Sequence, residues 1–470
     1  MRKRWLARTV SVVAAGMLGC AGIAPAAAAA SGESYRNLEG GGLQSDWMAP
    51  IPDSTSLGRL SLPGTHDTMS IRGGPSTATQ EDFGTGGATL RAQLEHGIRA
   101  IDIRVRVVDG RFTIHHGLVY QQANFSDVLS VLGGFLDSHP KETVLMSLHA
   151  ECTAETFSCT DQPTSTDDAA RLAIFRDYLA NDGHARDHFW APSAGGQGPA
   201  AMPHLHDVRG KIVLAKFTNP HGGHYSGYGL ARMSDSGFEQ NQSDVPTVFD
   251  ISDKWQAVKE HFQRTNAGPS DAMYWNWTSG GSATTWPNTV AGGFQTAIGQ
   301  QIPGVNEQSY DFLKSDNHTV RTGVVWMDYP GWALVQTIIR MNFWGPITGP
   351  GGMCVDVSGA STANGTSIQL ADCNGTRAQR WTARSDQSLH ALGKCLDVAS
   401  SGTTPGTKIQ LWDCNDTGAQ KWQKAPGGAL LNPQSGLCLD APGGQAVNGS
   451  RLQIWTCNGL DSQRWTVNPI

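Results

Sequence analysis

Charged residues are scarce in this sequence. Asp, Glu, Lys and Arg make up 16% of the 470 residues, and 41 acidic against 35 basic side chains give a formal net charge of −6. Disordered chains and coiled coils are rich in charge, so this composition argues against both classes. Non-specific nucleic-acid binding needs a basic surface, which this chain lacks. We therefore expect a folded protein of two or three domains with no nucleic-acid partner.

A long apolar segment is also missing. Residues 10–18 are apolar but too short for a convincing membrane span, and they follow a basic start at Arg2, Lys3 and Arg4. Small residues at 28–30 suit signal-peptidase cleavage, so we predict a signal peptide over residues 1–30 and a secreted, extracellular protein. We also expect the protein to be a monomer. A retained anchor helix is the alternative, and a lipidated Cys20 is a further one that its flanking residues fit poorly.

The cysteines have no histidine beside them at zinc-ligand spacing, which argues against zinc sites. Beyond Cys20 their number is even, as expected for disulfides in an oxidising compartment. Two lie close together, and the other six form three pairs at one identical spacing. The predicted bridges are Cys152–Cys159, Cys354–Cys373, Cys395–Cys414 and Cys438–Cys457.

The last third of the chain is a threefold repeat. Each repeat opens on Cys-x-Asp, has a central Gln and closes on Gln-x-Trp, with the tryptophans at Trp381, Trp422 and Trp465. A period of roughly forty residues indicates units that share one core. Short alternating segments separated by Gly, Asn and Ser predict an all-β domain over 353–470, preceded by a Gly- and Pro-rich linker at 344–352.

This repeat resembles the ricin B-type lectin domain, a β-trefoil. The resemblance implies that the Gln-x-Trp tryptophans are structural and that sugar is bound by an Asp, a Gln and an aromatic residue in each active lobe. In the first lobe Ala371 replaces the aromatic residue, which predicts a weak or inactive site. The expected carbohydrate-binding residues are Asp397, Gln410, Trp412, Asp440, Gln453 and Trp455. A trefoil kept only as a stable spacer is the alternative.

The segment 43–343 alternates short apolar runs with amphipathic ones, which predicts an irregular TIM-type (β/α) barrel. Predicted helices cover 89–96, 125–138, 167–181, 253–264 and 332–341. Seven predicted strands cover 59–63, 98–104, 112–115, 143–148, 212–215, 273–276 and 324–327. Polar side chains follow several of these strands, where barrel active sites lie.

Two histidines, one arginine and nearby carboxylates suit phosphodiester cleavage, because one neutral His can take a proton and one charged His can give one. Residues 62–67 (LPGTHD), 101–106 (IDIRVR), 115–117 (HHG), 143–148 (TVLMSL) and 326–329 (WMDY) resemble, in this order, the X-region motifs of bacterial phosphatidylinositol-specific phospholipase C. The resemblance implies a lyase that converts phosphatidylinositol, or a glycosyl-phosphatidylinositol, to diacylglycerol and inositol 1,2-cyclic phosphate.

The resemblance also implies the role of each residue. His66 would be the general base oriented by Asp328, and His116, backed by Asp67, would protonate the leaving oxygen. Arg104 would hold the phosphate and replace a calcium ion, so we expect no cofactor and no metal. His149, Asp253 and Trp255 would contact the inositol, while Phe217 stands where relatives have an Arg and Lys216 should point away from it.

Two other functions remain open from the sequence. A metal-dependent glycerophosphodiester phosphodiesterase would use a similar barrel, but it would need a His-Arg motif and a Glu-x-Asp metal pair near the first strands. A carbohydrate-binding adhesin with an inactive barrel would not need the histidines, Arg104 and carboxylates noted above.

Overall fold

The chain folds into two domains with separate hydrophobic cores in the computed structural model. The structure describes residues 32–151, 161, 166–233, 237–269, 271–315, 321–384 and 386–467. The predicted signal peptide and the predicted Cys152–Cys159 bridge lie outside these residues. Across the described ranges, every helix is too short or too polar to cross a membrane.

The first domain is built around parallel strands. Its strands in chain order are β1 (Leu62–Thr65), β2 (Ala100–Val108), β3 (Arg111–His116), β4 (Val119–Asn124), β5 (Thr143–Ala150), β6 (Lys211–Thr218), β7 (Glu239–Gln240), β8 (Trp275–Trp277), β9 (Gly293–Gln295), β10 (Gln301–Pro303) and β11 (Val324–Met327). The parallel ladder runs β6-β5-β2-β1-β11-β8-β7. Between β6 and β7 the described residues form no ladder, so the barrel is irregular, as predicted.

Helices cover the outside of this barrel. They are α1 (Ala88–Glu95), α2 (Phe125–Ser138), α3 (Asp168–Asn181), α4 (Gly183–His188), α5 (Ala191–Ala194), α6 (Leu205–Val208), α7 (Ile251–Ala267), α8 (Pro287–Gly292), α9 (Val305–Ser315) and α10 (Trp332–Arg340). Helix α2 begins where the Asp127 carboxylate accepts a hydrogen bond from the Asn124 N–H at 2.7 Å. It buries Phe125, Val128 and Leu132, which share one helical face.

The predicted barrel strands differ from the observed ones at β3 and at β7. The segment 112–115 is not a barrel strand, because β3 pairs antiparallel with β2 and forms a hairpin with β4. Strand β7 was not predicted, since a two-residue strand has no readable alternation. The hairpin matters for the site because it brings His116 back over the end of β2.

The second domain is all-β. Its strands are β12 (Ile347–Thr348), β13 (Cys354–Val357), β14 (Thr366–Ala371), β15 (Thr382–Ala383), β16 (Leu389–Ala391), β17 (Lys394–Val398), β18 (Ile409–Trp412), β19 (Gln423–Ala425), β20 (Ala429–Asn432), β21 (Leu437–Asp440), β22 (Gln453–Trp455) and β23 (Thr466–Val467). The three predicted bridges Cys354–Cys373, Cys395–Cys414 and Cys438–Cys457 are present.

The three lobes repeat one set of buried contacts. Trp381, Trp422 and Trp465 are each at least 95% buried, and each indole N–H donates to the carbonyl of the residue after the lobe's first cysteine at 2.8–2.9 Å. Burying an aromatic ring with its polar N–H satisfied is favourable. The Gln-x-Trp tryptophans are therefore structural, as the sequence predicted.

The predicted linker is part of the trefoil. Strand β12 pairs with β13 and with the C-terminal strand β23, and Ile347 is fully buried in the trefoil core. The Gly- and Pro-rich composition of 344–352 therefore reflects tight turns between short strands rather than a flexible connection, and this corrects the predicted boundary.

A buried ion pair fixes the N-terminal segment to the barrel. Arg99 and Glu142 are fully buried, with Arg99 Nε 2.8 Å from Glu142 Oε2. The remaining Arg99 N–H groups donate to backbone carbonyls, including that of Ser45, and the other Glu142 oxygen accepts from the Met48 N–H. Every polar atom of the pair thus has a partner, which is the condition for a tolerable buried charge.

We predict that Glu142→Gln destabilises the barrel by about 3–5 kcal/mol, because it leaves the buried Arg99 charge without a counter-charge. Arg91→Gln removes an exposed i,i+4 pair with Glu95 and should cost less than about 1 kcal/mol. Scanning calorimetry of the full-length variants measures both changes in stability, and the barrel transition is the one that Glu142→Gln should shift. Equal stability of the two variants would contradict this account of the pair.

Candidate active site

The carboxyl ends of the parallel strands open into one polar cavity of about 660 Å³. The predicted residues that line it are His66, Arg104, His116, His149 and Asp328. Asp67 lies just beneath, 1% exposed. Residues at the carboxyl ends of adjacent parallel strands face one another, so motifs far apart in the sequence meet here.

His66 is held from both ring nitrogens. Its Nδ1 lies 2.8 Å from Asp328 Oδ1, and its Nε2 lies 2.8 Å from Arg104 Nη2. A guanidinium has only donors, so Nε2 must accept with its lone pair and the proton must lie on Nδ1, toward Asp328. The edge of His66 also meets the Trp277 ring, with centroids 5.7 Å apart. This fixes a neutral imidazole whose basic nitrogen faces the cavity.

Arg104 connects the acidic groups of the site. Its Nε donates to Asp102 Oδ2 at 3.1 Å, and its Nη1 donates to Glu151 Oε2 at 3.3 Å. Burial alone would lower the pKa of Arg104, but the nearby carboxylates of Asp102, Glu151 and Asp67 raise it above its usual value. The guanidinium therefore keeps its positive charge at any physiological pH.

His116 and Asp67 form a second pair. His116 Nδ1 lies 3.0 Å from Asp67 Oδ2. Burial opposes the charged form of each, yet their mutual attraction raises the pKa of His116 to about 9 and helps lower the pKa of Asp67 to about 2. The two histidines thus have different protonation states, since His116 is charged at neutral pH while His66 is fixed as a neutral hydrogen-bond acceptor.

Asp67 has a left-handed backbone, with φ of 46°. This region is uncommon for a residue with a side chain and is retained where its surroundings impose it. Here the Asp67 N–H donates to Asp102 Oδ2 at 3.1 Å, and the Thr79 hydroxyl donates to the Asp67 carbonyl at 3.1 Å. The turn aims consecutive side chains, His66 and Asp67, at two different partners.

Asp67, His116 and Glu151 place potential ligand atoms within 4.8 Å of one another. A metal would require a deprotonated His116, whose pKa of about 9 opposes it. The Arg104 guanidinium is hydrogen-bonded to Glu151 and lies 3.8 Å from Asp67 Oδ2. These carboxylates are already neutralised, so the donor set does not fit a divalent cation.

Residues on β5 and β6 form the wall beyond the histidines. His149 Nδ1 is hydrogen-bonded to the Thr218 hydroxyl, and burial together with the Arg104 charge lowers the pKa of His149 to about 4. His149 is therefore neutral at physiological pH and offers hydrogen bonds rather than a charge.

Lys216 lines the cavity, which corrects the prediction that it points away. The pairing of β5 with β6 shifts register between Met146 and Ser147, and this places Lys216 opposite Ser147 on the inner face. Its Nζ lies 3.4 Å from Glu239 Oε2. Phe217 faces outward and is buried against Phe175 and the neighbouring aromatic residues.

Asp253 and Trp255 do not line the cavity, which corrects their expected contact with substrate. Both lie on α7, where Asp253 is exposed and Trp255 packs edge-on against Phe312. The structure instead brings Trp275 and Trp277 to the wall. Their alternation in the β8 sequence was the signal that could have identified them, because residues two apart on a strand share a face.

The second and third lobes of the trefoil each combine a buried carboxylate with a partly exposed indole. Asp397 accepts from Gln410 at 2.8 Å and from Gln420 at 3.0 Å, while Trp412 is 36% exposed. In the third lobe the corresponding residues are Asp440, Gln453, Gln463 and Trp455, with Trp455 42% exposed.

The first lobe has the same carboxylate but lacks the indole. Asp356 is bound by Gln369 and Gln379, each at 3.1 Å, and Ala371 stands where the other two lobes have Trp. The three Asp–Gln–Gln sets are therefore common to all lobes, and the exposed ring is what distinguishes two of them.

Known proteins resemble both domains. Residues 60–216 match the family model "phosphatidylinositol-specific phospholipase C, X domain", and residues 343–465 match "ricin-type beta-trefoil lectin domain". The chain is 29% identical over 302 residues to a 1-phosphatidylinositol phosphodiesterase of Listeria monocytogenes, covering 63% of this chain and 84% of the relative. It is 26% identical over 329 residues to a Staphylococcus aureus protein of the same name, covering 63% and 94%.

A solved structure of a phosphatidylinositol-specific phospholipase C from Listeria monocytogenes superimposes with a TM-score of 0.48 at 25% identity, covering 64% of this chain and 99% of that one. The first family model matches within the segment 43–343 that the motifs predicted, and the second matches the segment of the predicted repeat. Residues 60–216 are thus similar to a phosphatidylinositol-specific phospholipase C X domain, and residues 343–465 are similar to a ricin-type β-trefoil lectin domain.

Proposed function

We propose that the protein is a phosphatidylinositol diacylglycerol-lyase that works without a metal ion. The observation that carries this proposal is the pair of differently prepared histidines, neutral His66 on Asp328 and charged His116 on Asp67, with Arg104 between the two pairs. A base, an acid and a fixed positive charge are what an internal phosphodiester transfer needs. The named relatives are 1-phosphatidylinositol phosphodiesterases, which agrees with this chemistry.

The reaction follows from these positions. His66 Nε2 takes the proton of the inositol 2-hydroxyl, and that oxygen attacks phosphorus to form the cyclic ester. The bond from phosphorus to the diacylglycerol oxygen breaks, and His116 gives this oxygen its proton. Arg104 releases its contact with His66 and stabilises the phosphate oxygens as charge develops. Asp328 and Asp67 orient the two rings and stabilise their charged forms.

The inositol would lie against the β5–β6 wall. Neutral His149 and charged Lys216 offer hydrogen bonds to ring hydroxyls or to a substituent on the ring. Lipid chains would leave past the β3–β4 hairpin, where Leu118 and Tyr120 are 51% and 43% exposed, directly after His116. A glycosyl-phosphatidylinositol is a second substrate that the open cavity would admit.

The trefoil would bind carbohydrate through two lobes. The exposed faces of Trp412 and Trp455 can stack on sugar C–H groups, and the Asp397 and Asp440 carboxylates, ordered by their glutamines, can accept hydroxyl hydrogen bonds. Such binding would hold the lyase at glycan-bearing surfaces and raise its local concentration there.

We further propose that the protein is secreted and works as a monomer. The three trefoil disulfides agree with an oxidising compartment, and the N-terminal sequence has the order of features of a signal peptide. Of the two alternatives, a metal-dependent phosphodiesterase is disfavoured by the charge of Arg104 among the carboxylates. An inactive barrel is disfavoured because His66, Arg104, His116, Asp67 and Asp328 are all present and in contact with one another.

The first test is the product formed from phosphatidylinositol in the presence of EDTA. Phosphorus NMR should show inositol 1,2-cyclic phosphate, at a rate that the chelator does not change. His116→Ala should lower kcat/KM roughly 100- to 10,000-fold, the usual contribution of a general acid.

His115→Ala is the matched control for this variant, because His115 packs against Tyr120 and lies outside the cavity. It should retain activity within a few-fold. The mechanism would be disproved if no cyclic product formed, if calcium restored activity after chelation, or if the two variants lost activity equally.

The second test is the pH profile of Asp67→Asn. His116 must be protonated to act as an acid, so activity should fall as pH rises through its pKa of about 9. Removing the Asp67 charge should move this alkaline limb down toward the ordinary histidine pKa of about 6.5. Ser70→Ala removes a neutral contact to His116 Nδ1 and should leave the limb in place. An unmoved limb in Asp67→Asn would rule out this source of the shift.

The third test concerns the trefoil. Trp412→Ala combined with Trp455→Ala should abolish retention on glycan-bearing surfaces, because stacking is lost in both lobes, while hydrolysis of dispersed lipid stays unchanged. Affinity electrophoresis on a panel of polysaccharides measures retention. Exposed Leu460→Ala is the control for a general loss of apolar surface. Unchanged retention of the double variant would show that these lobes do not bind the glycan.

A further inference from the structure

A second large cavity lies between the two domains. Its volume is about 970 Å³, larger than that of the catalytic cavity. Barrel residues that precede β1 and β11, such as Leu60 and Arg321, form one side, and trefoil residues that include Arg380 and Lys424 form the other. This interdomain cleft is thus at the amino ends of the barrel strands, away from the catalytic histidines at their carboxyl ends.

The charge of the cleft has one sign. Arg59, Arg321, Arg380, Lys424 and His204 line it, and no Asp or Glu is among its described lining residues. The whole chain has a formal net charge of −6, yet Arg59, Arg321 and Lys424 place three positive charges on a wall whose described lining residues include no acid. A cavity wall of one sign concentrates the field inside it and attracts ions of the opposite sign.

Arg321 shows how this charge is kept in place. It is 7% exposed, and its N–H groups donate to the backbone carbonyls of Thr265, Gly58, Pro269 and Gly268. Within the described part of the chain, no carboxylate lies within ion-pair distance of it. Burial lowers the pKa of Arg321, and the charge of Arg59 lowers it further against an opposing contribution from Tyr274. Two cations therefore repel each other at this wall, and an anion would relieve the repulsion.

The rest of the lining suits a sugar. Trp344 offers a partly exposed ring beside the Arg380 guanidinium, which lies 5.8 Å from the ring centroid. Neutral donors and acceptors also line the cleft, among them Ser54, Thr55, Asn342 and Thr376. Hydroxyl and amide side chains match sugar hydroxyls, an aromatic face matches sugar C–H groups, and guanidinium forks match carboxylate, sulfate or phosphate groups.

We propose that the interdomain cleft binds an acidic polysaccharide, a polymer of sugars that carry negative groups. This site is separate from the trefoil lobes of Trp412 and Trp455 and from the catalytic cavity. Its ligand would contact both domains at once and would tether the protein to anionic surface polymers. Since the cleft faces away from the catalytic residues, occupancy does not block the active site. The inference does not depend on the proposed lyase activity.

The test is calorimetric titration of the full-length protein with trigalacturonate, with a neutral galactose trimer and with inorganic phosphate. Trigalacturonate should bind at one site per chain, more weakly as salt rises, and tighter than either of the others. Arg59→Gln combined with Lys424→Gln should weaken this binding at least tenfold. Both side chains are exposed, so the fold should persist, which the unchanged rate of phosphatidylinositol cleavage would verify.

A charge-matched control separates the site from net charge. Arg91→Gln combined with Arg111→Gln removes two exposed barrel arginines outside the cleft and should change affinity less than twofold. Equal weakening by the two double variants would overturn the proposal in favour of a general charge effect. The proposal would also be overturned if trigalacturonate did not bind or if the cleft variant bound it as tightly as the unchanged protein. The same holds if phosphate, or a single-stranded oligonucleotide titrated in the same way, bound as tightly as trigalacturonate.

Discussion

The catalytic cavity depends on the contacts of the Arg104 guanidinium with its neighbours. This guanidinium donates to Asp102, to Glu151 and to the basic nitrogen of His66, and it lies 3.8 Å from the carboxylate that holds His116. Without this charge, the buried carboxylates of Asp67, Asp102 and Glu151 would repel one another. With it, they can be packed close enough to orient both histidines. The residue proposed to bind the phosphate thus also holds the surrounding carboxylates together.

The two histidines show how one set of side-chain types is given two protonation states. His66 is fixed as a neutral acceptor because an obligate donor contacts Nε2 and a carboxylate contacts Nδ1. His116 Nδ1 lies beside the buried Asp67 carboxylate. The negative charge of Asp67 raises the pKa of His116 to about 9. Acid and base are therefore assigned by the neighbours of each ring, not by the rings themselves.

The trefoil places its polar groups by a different rule. In every lobe, two glutamine side chains bind the same buried carboxylate, and the Gln-x-Trp indole donates to a backbone carbonyl nearby. These contacts stabilise the lobe whether or not sugar binds, and only the exposed ring varies among the lobes. This division explains how Ala371 can replace an aromatic residue without loss of the fold. The same domain also supplies Arg380 and Lys424 to the interdomain cleft.

Local sequence was sufficient to predict the features that depend on contacts within one segment or one repeat. The threefold repeat predicted an all-β domain with one shared core and three bridges, and its resemblance to the ricin B-type lectin domain implied the trefoil. The periodicity of 125–138 matched α2. The polar residues after β1, within β2 and after β11 met in one cavity because parallel strands end at one edge.

Other features depended on contacts between distant segments. The orientation of Lys216 required the register shift between β5 and β6, which no single strand encodes. The resemblance placed Asp253 and Trp255 at the substrate, whereas both lie on α7, outside the lining of the cavity. Ile347 became a core residue only through pairing of β12 with β23 at the far end of the chain. The amino acids by themselves determined which chemistry was available. Tertiary packing decided which side chains face the cavity, because the direction of a side chain depends on the register with the partner strand and not only on the strand's own sequence.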